Sequence, residues 1–390
     1  TVSGTKRCKR TMDRNLMADI LEQVADFLEK GEYRKKVRVG ITTLGSEHGT
    51  EEIIRGAELA QKLYDDVEVI LIGARGNSSL QCYEAETLEG CHCLMEELLD
   101  KHEIDACVTM HYNFPLGVST VGRLVTPAKG KEILLATTTG TAAADRVEAM
   151  VKNAVYGNIV AKALGIKEPT IGILNVDGAR QVERVLNQLK ERGYPIKFAQ
   201  SLREDGGVVM RGNDLLAASC DVMVTDTLTG NLLVKILSAF TTGGDYESIG
   251  FGYGPGIGEG YDRIIMILSR ASGAPVAANA IKFAADLVKG NLKEVASKEF
   301  EMLNRIGWKD LLSKKEKAPA AELQEVKMPD PKPVAEEISG IDVLELEDMV
   351  KLLWSHGIYA ESGMGCTGPV IRVSEEDLEE AMKLLQEAMQ

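Results

Sequence analysis

The stretch VRVGITTLGSEHGTEEIIRGAELAQKLYDDVEVILIG, residues 37–73, decides the fold. Its two ends are short apolar runs rich in β-branched residues, and the segment between them repeats its apolar positions at helical spacing, so the whole reads as strand, helix, strand. Glycine-flanked apolar runs of the same kind recur at DACVTMH (105–111), EILLATTT (132–139), TIGILNV (170–176), CDVMVTD (220–226) and RIIMILS (263–269). Amphipathic helical stretches separate most of them. Strands alternating with helices predict an α/β fold built on a largely parallel sheet covered on both faces, with sites at the carboxyl ends of strands.

The chain has 390 residues, enough for two or three domains. Hydrophobic residues make up 44% and charged residues 27%, ordinary values for a folded soluble protein. Against 45 Lys and Arg stand 59 Asp and Glu, giving −14 at pH 7, a charge that repels phosphate backbones and anionic head groups. No nucleic acid partner is expected. No apolar run reaches the roughly 18 residues of a membrane span, so no membrane partner is expected and the cytoplasm is the expected compartment. The opening TVSGTKRCKRTMDRNLMADILEQVADFL places basic residues before an amphipathic helix, which predicts an N-terminal helical arm over 1–36. Seven cysteines at irregular spacing read as free thiols.

The body is expected over 37–312. After it, KKEKAPAAELQEVKMPDPKPVAEE carries Pro319, Pro329, Pro331 and Pro333 among charges and lacks an apolar period, which predicts a semi-rigid linker over 313–340. A small α/β unit is expected over 341–390. Leu346, Met349, Val350, Leu353 and Trp354 form one helical stripe, with Gly357 as its cap. A second helix, capped by Ser374, has Leu378, Ala381, Met382, Leu385 and Met389 as its apolar face. Strands and a glycine loop lie between the two helices. So small a unit is expected to pack on the body or on a partner.

That loop, SGMGCTGPV (362–370), sets Cys366 among Gly363, Gly365 and Gly368. Cysteine is often simply buried, and a turn cysteine in a small core is one reading. Another starts from the glycines, which let successive N–H groups converge on one point and favour both a thiolate and the oxyanion formed when sulfur attacks an acyl carbon. Redox chemistry is a third, although no CxxC motif accompanies it. His356, ten residues earlier, is first of all a residue that offsets the dipole at a helix end and only then a candidate general base.

Elsewhere, the CHC cluster at 91–93 lacks zinc-site spacing, and Cys91 falls on the helical face of Leu94, Met95, Leu98 and Leu99. In GFGYGPGIGEG (250–260) no register satisfies GxGxxG, so no dinucleotide fingerprint is present and no cofactor is expected. VTDTLTGNLLVK (224–235) is a strand-to-helix turn in which Asp226, Gly230, Asn231 and Lys235 form a candidate anion site at a helix N-terminus; a well-capped turn is the structural alternative.

VTDTLTGNLLVK resembles the corresponding turn of the acyl-phosphate-forming phosphate acyltransferases of bacterial phospholipid synthesis. The resemblance extends to VGITTLGSEHGTEEIIRGAELA (39–60), AVYGNIVAKALGIKEPTIGILNV (154–176) and SRASGAPVAANAIKFA (269–284), and covers roughly residues 37–300. It implies a three-layer α/β body similar to isocitrate and isopropylmalate dehydrogenases. Two segments depart from that family, HYNFPLGVST (111–120) and TTTGTAAADRVEAM (137–150), and the carboxyl-terminal unit is foreign to it. Body, linker and thiol loop together resemble the component C alpha subunits of glycine/sarcosine/betaine reductase complexes. That resemblance implies an acetyl group accepted from carboxymethylated selenoprotein A, held as a thioester on Cys366 and released to inorganic phosphate as acetyl phosphate, with a beta subunit alongside. An acyl-carrier-protein-dependent phosphate acyltransferase is the alternative.

Overall fold

The computed structural model describes residues 36–127, 129–204, 206–313, 328–341, 345–365 and 368–388, together with Leu21 and Ala25. The expected N-terminal arm apart from Leu21, Ala25 and Lys36, residues 314–327 of the linker, Cys366 and Met389 lie outside the described residues.

The body opens with β1 (Val37–Thr42), α1 (Thr50–Leu63), β2 (Val67–Gly73), β3 (Gln81–Glu84), α2 (Leu88–Asp100) and β4 (Ala106–Thr109). Then come β5 (Val118–Val125), β6 (Glu132–Thr141), α3 (Arg146–Ala163), β7 (Thr170–Leu174), α4 (Ala179–Glu191), β8 (Lys197–Phe198), β9 (Val209–Met210) and α5 (Gly212–Ala217). It closes with β10 (Val222–Val224), α6 (Thr227–Ala239), β11 (Gly254–Ile257), β12 (Ile265–Ile267), α7 (Ala274–Lys289), α8 (Leu292–Arg305) and α9 (Trp308–Ser313). The body is α/β, with a large, predominantly parallel sheet between two helical layers.

Alternation along each strand builds those layers. Val39 and Ile41 of β1 and Val69 and Leu71 of β2 face the core shared with α1, α3, α4, α7 and α8. Ile70 and Ile72 face the other way, onto Cys91, Met95, Leu98 and Leu99 of α2. Beneath α6, Val234 and Leu237 join Leu135 and Met223 in a separate cluster on this second side.

The strand order is β3-β2-β1-β4-β12-β11-β5-β6-β10-β7-β8, with β9 also paired to β7. It differs from the parallel expectation at its centre. β12 is parallel to β4, but the pairs β12/β11, β11/β5 and β5/β6 are antiparallel before β6 and β10 run parallel again. Three successive reversals leave β10 pointing opposite to β1, β4 and β12, so the two halves of the sheet end their strands on opposite edges. α6, returning from β10, therefore runs toward the edge where β12 ends.

The glycine-rich run 250–260 makes this reversal, and the strand β11 within it carries no periodic side-chain signal. Gly254 has φ +86°, and a Cβ there would lie 1.7 Å from the carbonyl oxygen of Val121 on β5. Only bare backbone fits so close an approach.

A second sheet, ordered β13-β15-β14, contains β13 (Glu336–Ser339), β14 (Ala360–Gly365) and β15 (Gly368–Val373), flanked by α10 (Leu346–Ser355) and α11 (Leu378–Ala388). It draws in Glu336–Ser339, which the sequence reading leaves in the linker, because this stretch pairs antiparallel with β15 from Glu336↔Val373 to Ser339↔Val370. Its apolar cluster comes wholly from its own elements, among them Val350, Leu353, Ile371, Val373, Ala381 and Leu385. Met382, expected on the apolar face, is 43% exposed, and Leu384 packs on the cluster instead. A 3-10 turn over Glu375–Asp377 intervenes after Ser374, whose hydroxyl bonds Asp377 rather than a helix N–H; the extra turn rotates the helix that follows. Among the described residues, the hydrogen bonds from this unit to the body are those of Glu345 with Arg184 and Gln181 on α4.

Gly254→Ala is expected to cost about 3 kcal/mol, since backbone must move to admit the methyl group at a left-handed φ. A urea midpoint within error of the parent's would contradict the close approach at β5.

Candidate functional site

Cys366 itself lies outside the described residues. On either side of it the structure places strands where the sequence reading has an open loop: Gly363 pairs with Val370, and Gly365 with Gly368, in the β14/β15 ladder. His356 is the C-cap of α10; its Nδ1 is 2.9 Å from the carbonyl oxygen of Leu352 and 3.1 Å from the Ser355 hydroxyl. The ring thus closes a helix end, leaving Nε2 as the nitrogen open to other work.

Of the four residues of the α6 segment, Asp226, Gly230 and Asn231 lie at or near its N-terminus and Lys235 lies farther along the helix, short of its last turn. Asp226 is the N-cap, its carboxylate accepting from the Thr229 N–H at 3.1 Å and the Thr229 hydroxyl at 2.7 Å, with Arg146 at 3.1 Å. Burial pushes this carboxyl up, but the Thr229 hydrogen bonds and Arg146 outweigh it and hold the group below its ordinary value. The first turn of α6 is therefore already occupied by an anion of the chain itself. Gly230 sits where a Cβ would be 1.7 Å from the Thr137 carbonyl oxygen, so it lets α6 lie on β6. The Asn231 amide donates to the Thr138 carbonyl at 3.1 Å.

Lys235 lies about 13 Å along the axis from Asp226, at 1.5 Å per residue. Its ammonium is 3.8 Å from Glu247, a carboxylate whose side chain is 1% exposed, while the Lys235 side chain is 53% exposed. Glu247 accepts from the Tyr253 hydroxyl at 3.1 Å and the Ser272 hydroxyl at 3.0 Å. Burial first, then the Glu247 charge, pushes the Tyr253 phenol up, so it remains a donor. The Glu247 backbone is pinned as well, donating to Ala271 at 2.9 Å and accepting from Gly273 at 2.8 Å. These last residues follow β12 and open α7, which places Lys235 at the edge where β1, β4 and β12 end.

The same edge carries the loop after β1. Glu47 donates its N–H to the Arg270 carbonyl at 2.8 Å and pairs with the Arg270 guanidinium at 3.1 Å, while His48 meets Tyr246 edge-on at 6.0 Å between centroids. The Ala274 N–H at the start of α7 donates to Glu52 of α1 at 2.7 Å. A hydroxyl chain leads inward: the Thr120 and Thr138 hydroxyls lie 2.6 Å apart, and Thr138 donates to the Tyr253 carbonyl. The arrangement is a polar edge of the sheet with an exposed ammonium beside a buried carboxylate.

Sequence reasoning misses Glu247, Tyr253, Ser272 and Arg146. Only the threonine run 137–139 offered a signal, as polar residues closing an otherwise apolar strand. Cys91 is buried and Cys93 exposed, in line with their helical positions. Among the described residues no three His, Cys, Asp or Glu side chains gather as metal ligands, and no helix is long and apolar enough to cross a membrane.

The class follows from the sequence match: the chain belongs to the Fatty acid synthesis protein family, whose model matches residues 37–372. It is 57% identical over 377 residues to the glycine/sarcosine/betaine reductase complex component C subunit alpha of Peptoclostridium acidaminophilum, covering 96% of this chain and 98% of that one. It is 26% identical over 238 residues to a phosphate acyltransferase of Geobacillus sp. (strain WCH70), covering 52% of this chain and 71% of the relative. Among solved structures, a branched-chain phosphotransacylase from Enterococcus faecalis V583 aligns with 65% of this chain and 99% of its own length, at 15% identity and a TM-score of 0.46.

Two outcomes test this geometry. Asp226 titrates lower in the folded chain than in the unfolded one, so its stabilisation is complete above the unfolded value and is lost as pH falls through the folded one. Asp226→Ala should cost about 1–2 kcal/mol at neutral pH, a deficit that shrinks below about pH 4; urea titrations at both pH values check it. Burial pushes the Cys220 thiol up to about 12 and raises those of Cys91 and Cys107. Native alkylation near pH 8 should therefore label Cys93 and spare these three, as read by peptide mass spectrometry.

Proposed function

We propose that this chain is the acyl-carrying subunit of a glycine, sarcosine or betaine reductase complex, accepting an acetyl group as a thioester on Cys366 and yielding it to inorganic phosphate. The observation that carries this reading is the 57% identity spanning 96% of the chain and 98% of a component C alpha subunit. The weaker likeness to phosphate acyltransferases over about half of the chain supports phosphate as acceptor.

In the transfer, a phosphate oxygen attacks the thioester carbonyl carbon, a C–O bond forms and the C–S bond breaks. The sulfur leaves as the Cys366 thiolate, and acetyl phosphate is released without change of oxidation state. A thioester keeps the acyl group activated, and a bound phosphate in place of water decides the product. Within this reading Lys235 offers the acceptor a point charge and Asn231 an amide on the same side of α6, while Gly363, Gly365 and Gly368 frame the thiol. His356 has Nε2 available as a base toward it. The acyl group originates as the carboxymethyl group on selenoprotein A. Its C–Se bond breaks as a second thiol, the reductant, joins selenium in a selenium–sulfur bond, the freed carbon is protonated to methyl, and the carboxyl loses water as it joins the Cys366 sulfur. A beta subunit completes the component.

After one turnover without phosphate, mass spectrometry should find an acetyl adduct on the peptide holding Cys366. Cys366→Ser should lack the adduct and lose acetyl phosphate formation on the order of a thousandfold. Acetyl phosphate at the parent rate from the serine variant would end this reading; phosphate-dependent cleavage of long-chain acyl thioesters on acyl carrier protein would favour a phospholipid-pathway role.

A further inference from the structure

A carboxylate removed from water is costly unless its charge is matched. Glu247 is 1% exposed. The hydroxyls of Tyr253 and Ser272 each satisfy one of its oxygens but bring no charge. The cation within ion-pair distance is Lys235, at 3.8 Å. At that separation the ammonium is attracted without being hydrogen-bonded, and Lys235 makes no side-chain hydrogen bond among the described residues. All three of its N–H groups remain directed to other acceptors.

Three features show that Glu247 is set firmly enough to direct its partner. Its backbone is fixed on both sides by Ala271 and Gly273, and the neighbouring Ser248 and Ile249 N–H groups both donate to the Ser238 carbonyl of α6. Loop and helix are thus tied together less than one turn from Lys235. Tyr253 and Ser272 fix the orientation of the carboxylate from two further elements, and burial keeps the Tyr253 hydroxyl protonated as a donor. A lysine side chain otherwise samples many rotamers, and restricting them in advance lowers the entropic cost of engaging a ligand.

We propose that Glu247 is a positioning residue that aims the Lys235 ammonium at the inorganic phosphate acceptor, Tyr253 and Ser272 holding the carboxylate in place. This deepens the acyl-transfer reading and rests on it. Phosphate meets Lys235, and Glu247 acts only through that side chain, remaining behind it and away from the ligand.

The test uses the full chain assembled with its partner subunits, the acetyl thioester of N-acetylcysteamine as donor and inorganic phosphate as acceptor. Glu247→Gln retains the shape and an acceptor for the hydroxyls but removes the charge. It should raise KM for phosphate about tenfold while kcat changes less than about threefold, and Glu247→Asp should recover part of the loss. Lys235→Met should raise the same KM, and the double variant should be no worse than Lys235→Met alone, because Glu247 has nothing else through which to act. Additive losses, or an unchanged KM in Glu247→Gln beside a raised one in Lys235→Met, would overturn the positioning role while leaving phosphate as acceptor.

A second readout needs no turnover. Reductive methylation of the full chain, followed by mass spectrometry of the Lys235 peptide, should run several-fold faster in Glu247→Gln, since an amine no longer held beside a buried carboxylate samples more rotamers and meets the reagent more often. If the parent complex shows no phosphate-dependent cleavage, the functional reading fails and the phosphate part of this proposal fails with it. An unchanged methylation rate would separately refute the hold of Glu247 on Lys235.

Discussion

The close contact of Gly254 with the Val121 carbonyl is the constraint on which the architecture rests. It lets β11 insert antiparallel between β12 and β5, and that insertion turns the second half of the sheet against the first. Were β10 parallel to β12, α6 would return toward the far edge and Lys235 would lie remote from the loops after β1 and β12. Reversal brings a helix from one half to the strand ends of the other, so that the polar edge around Lys235 takes residues from both.

Charge is distributed along α6 accordingly. The end nearest β10 is closed by Asp226, which satisfies the Thr229 N–H and draws in Arg146, leaving little reason for an external anion to settle there. Further along the helix, Lys235 presents an ammonium whose counter-charge is buried beside it. A helix N-terminus is a natural anion site only while its first turn is unoccupied. Here the chain supplies that anion itself and moves the available positive charge two turns onward.

Much of the body could be read from the sequence because short apolar runs and amphipathic helices announce themselves by period. The runs at 37–42, 67–73, 132–139 and 220–226 all contain strands. β11 was illegible because glycine carries no side-chain pattern, and β5 because it begins within HYNFPLGVST, whose proline and glycine read as turn. β13 was hidden by its neighbours: Glu336 and Glu337 continue the charged linker, and only pairing with β15 makes Glu336–Ser339 a strand. At the polar edge, the segment around Lys235 stood out through its strand-to-helix setting. Glu247 did not, since an acidic residue in FTTGGDYESIG looks like any solvated loop position until the fold buries it. Sequence spacing also suggested that Asp226 and Lys235 share a pocket, whereas nine residues of helix separate them.

The small carboxyl-terminal sheet keeps its hydrocarbon to itself. What reaches across to the body is Glu345, at the entry to α10, meeting Arg184 and Gln181. An attachment of charge and amide rather than of oil depends on direction, and because this pair is largely shielded from water, dissolved ions weaken it less than they would an exposed pair. The small sheet is then joined to the body by direction-dependent bonds rather than by shared area, and its attachment depends on the identity of Glu345 more than on its size.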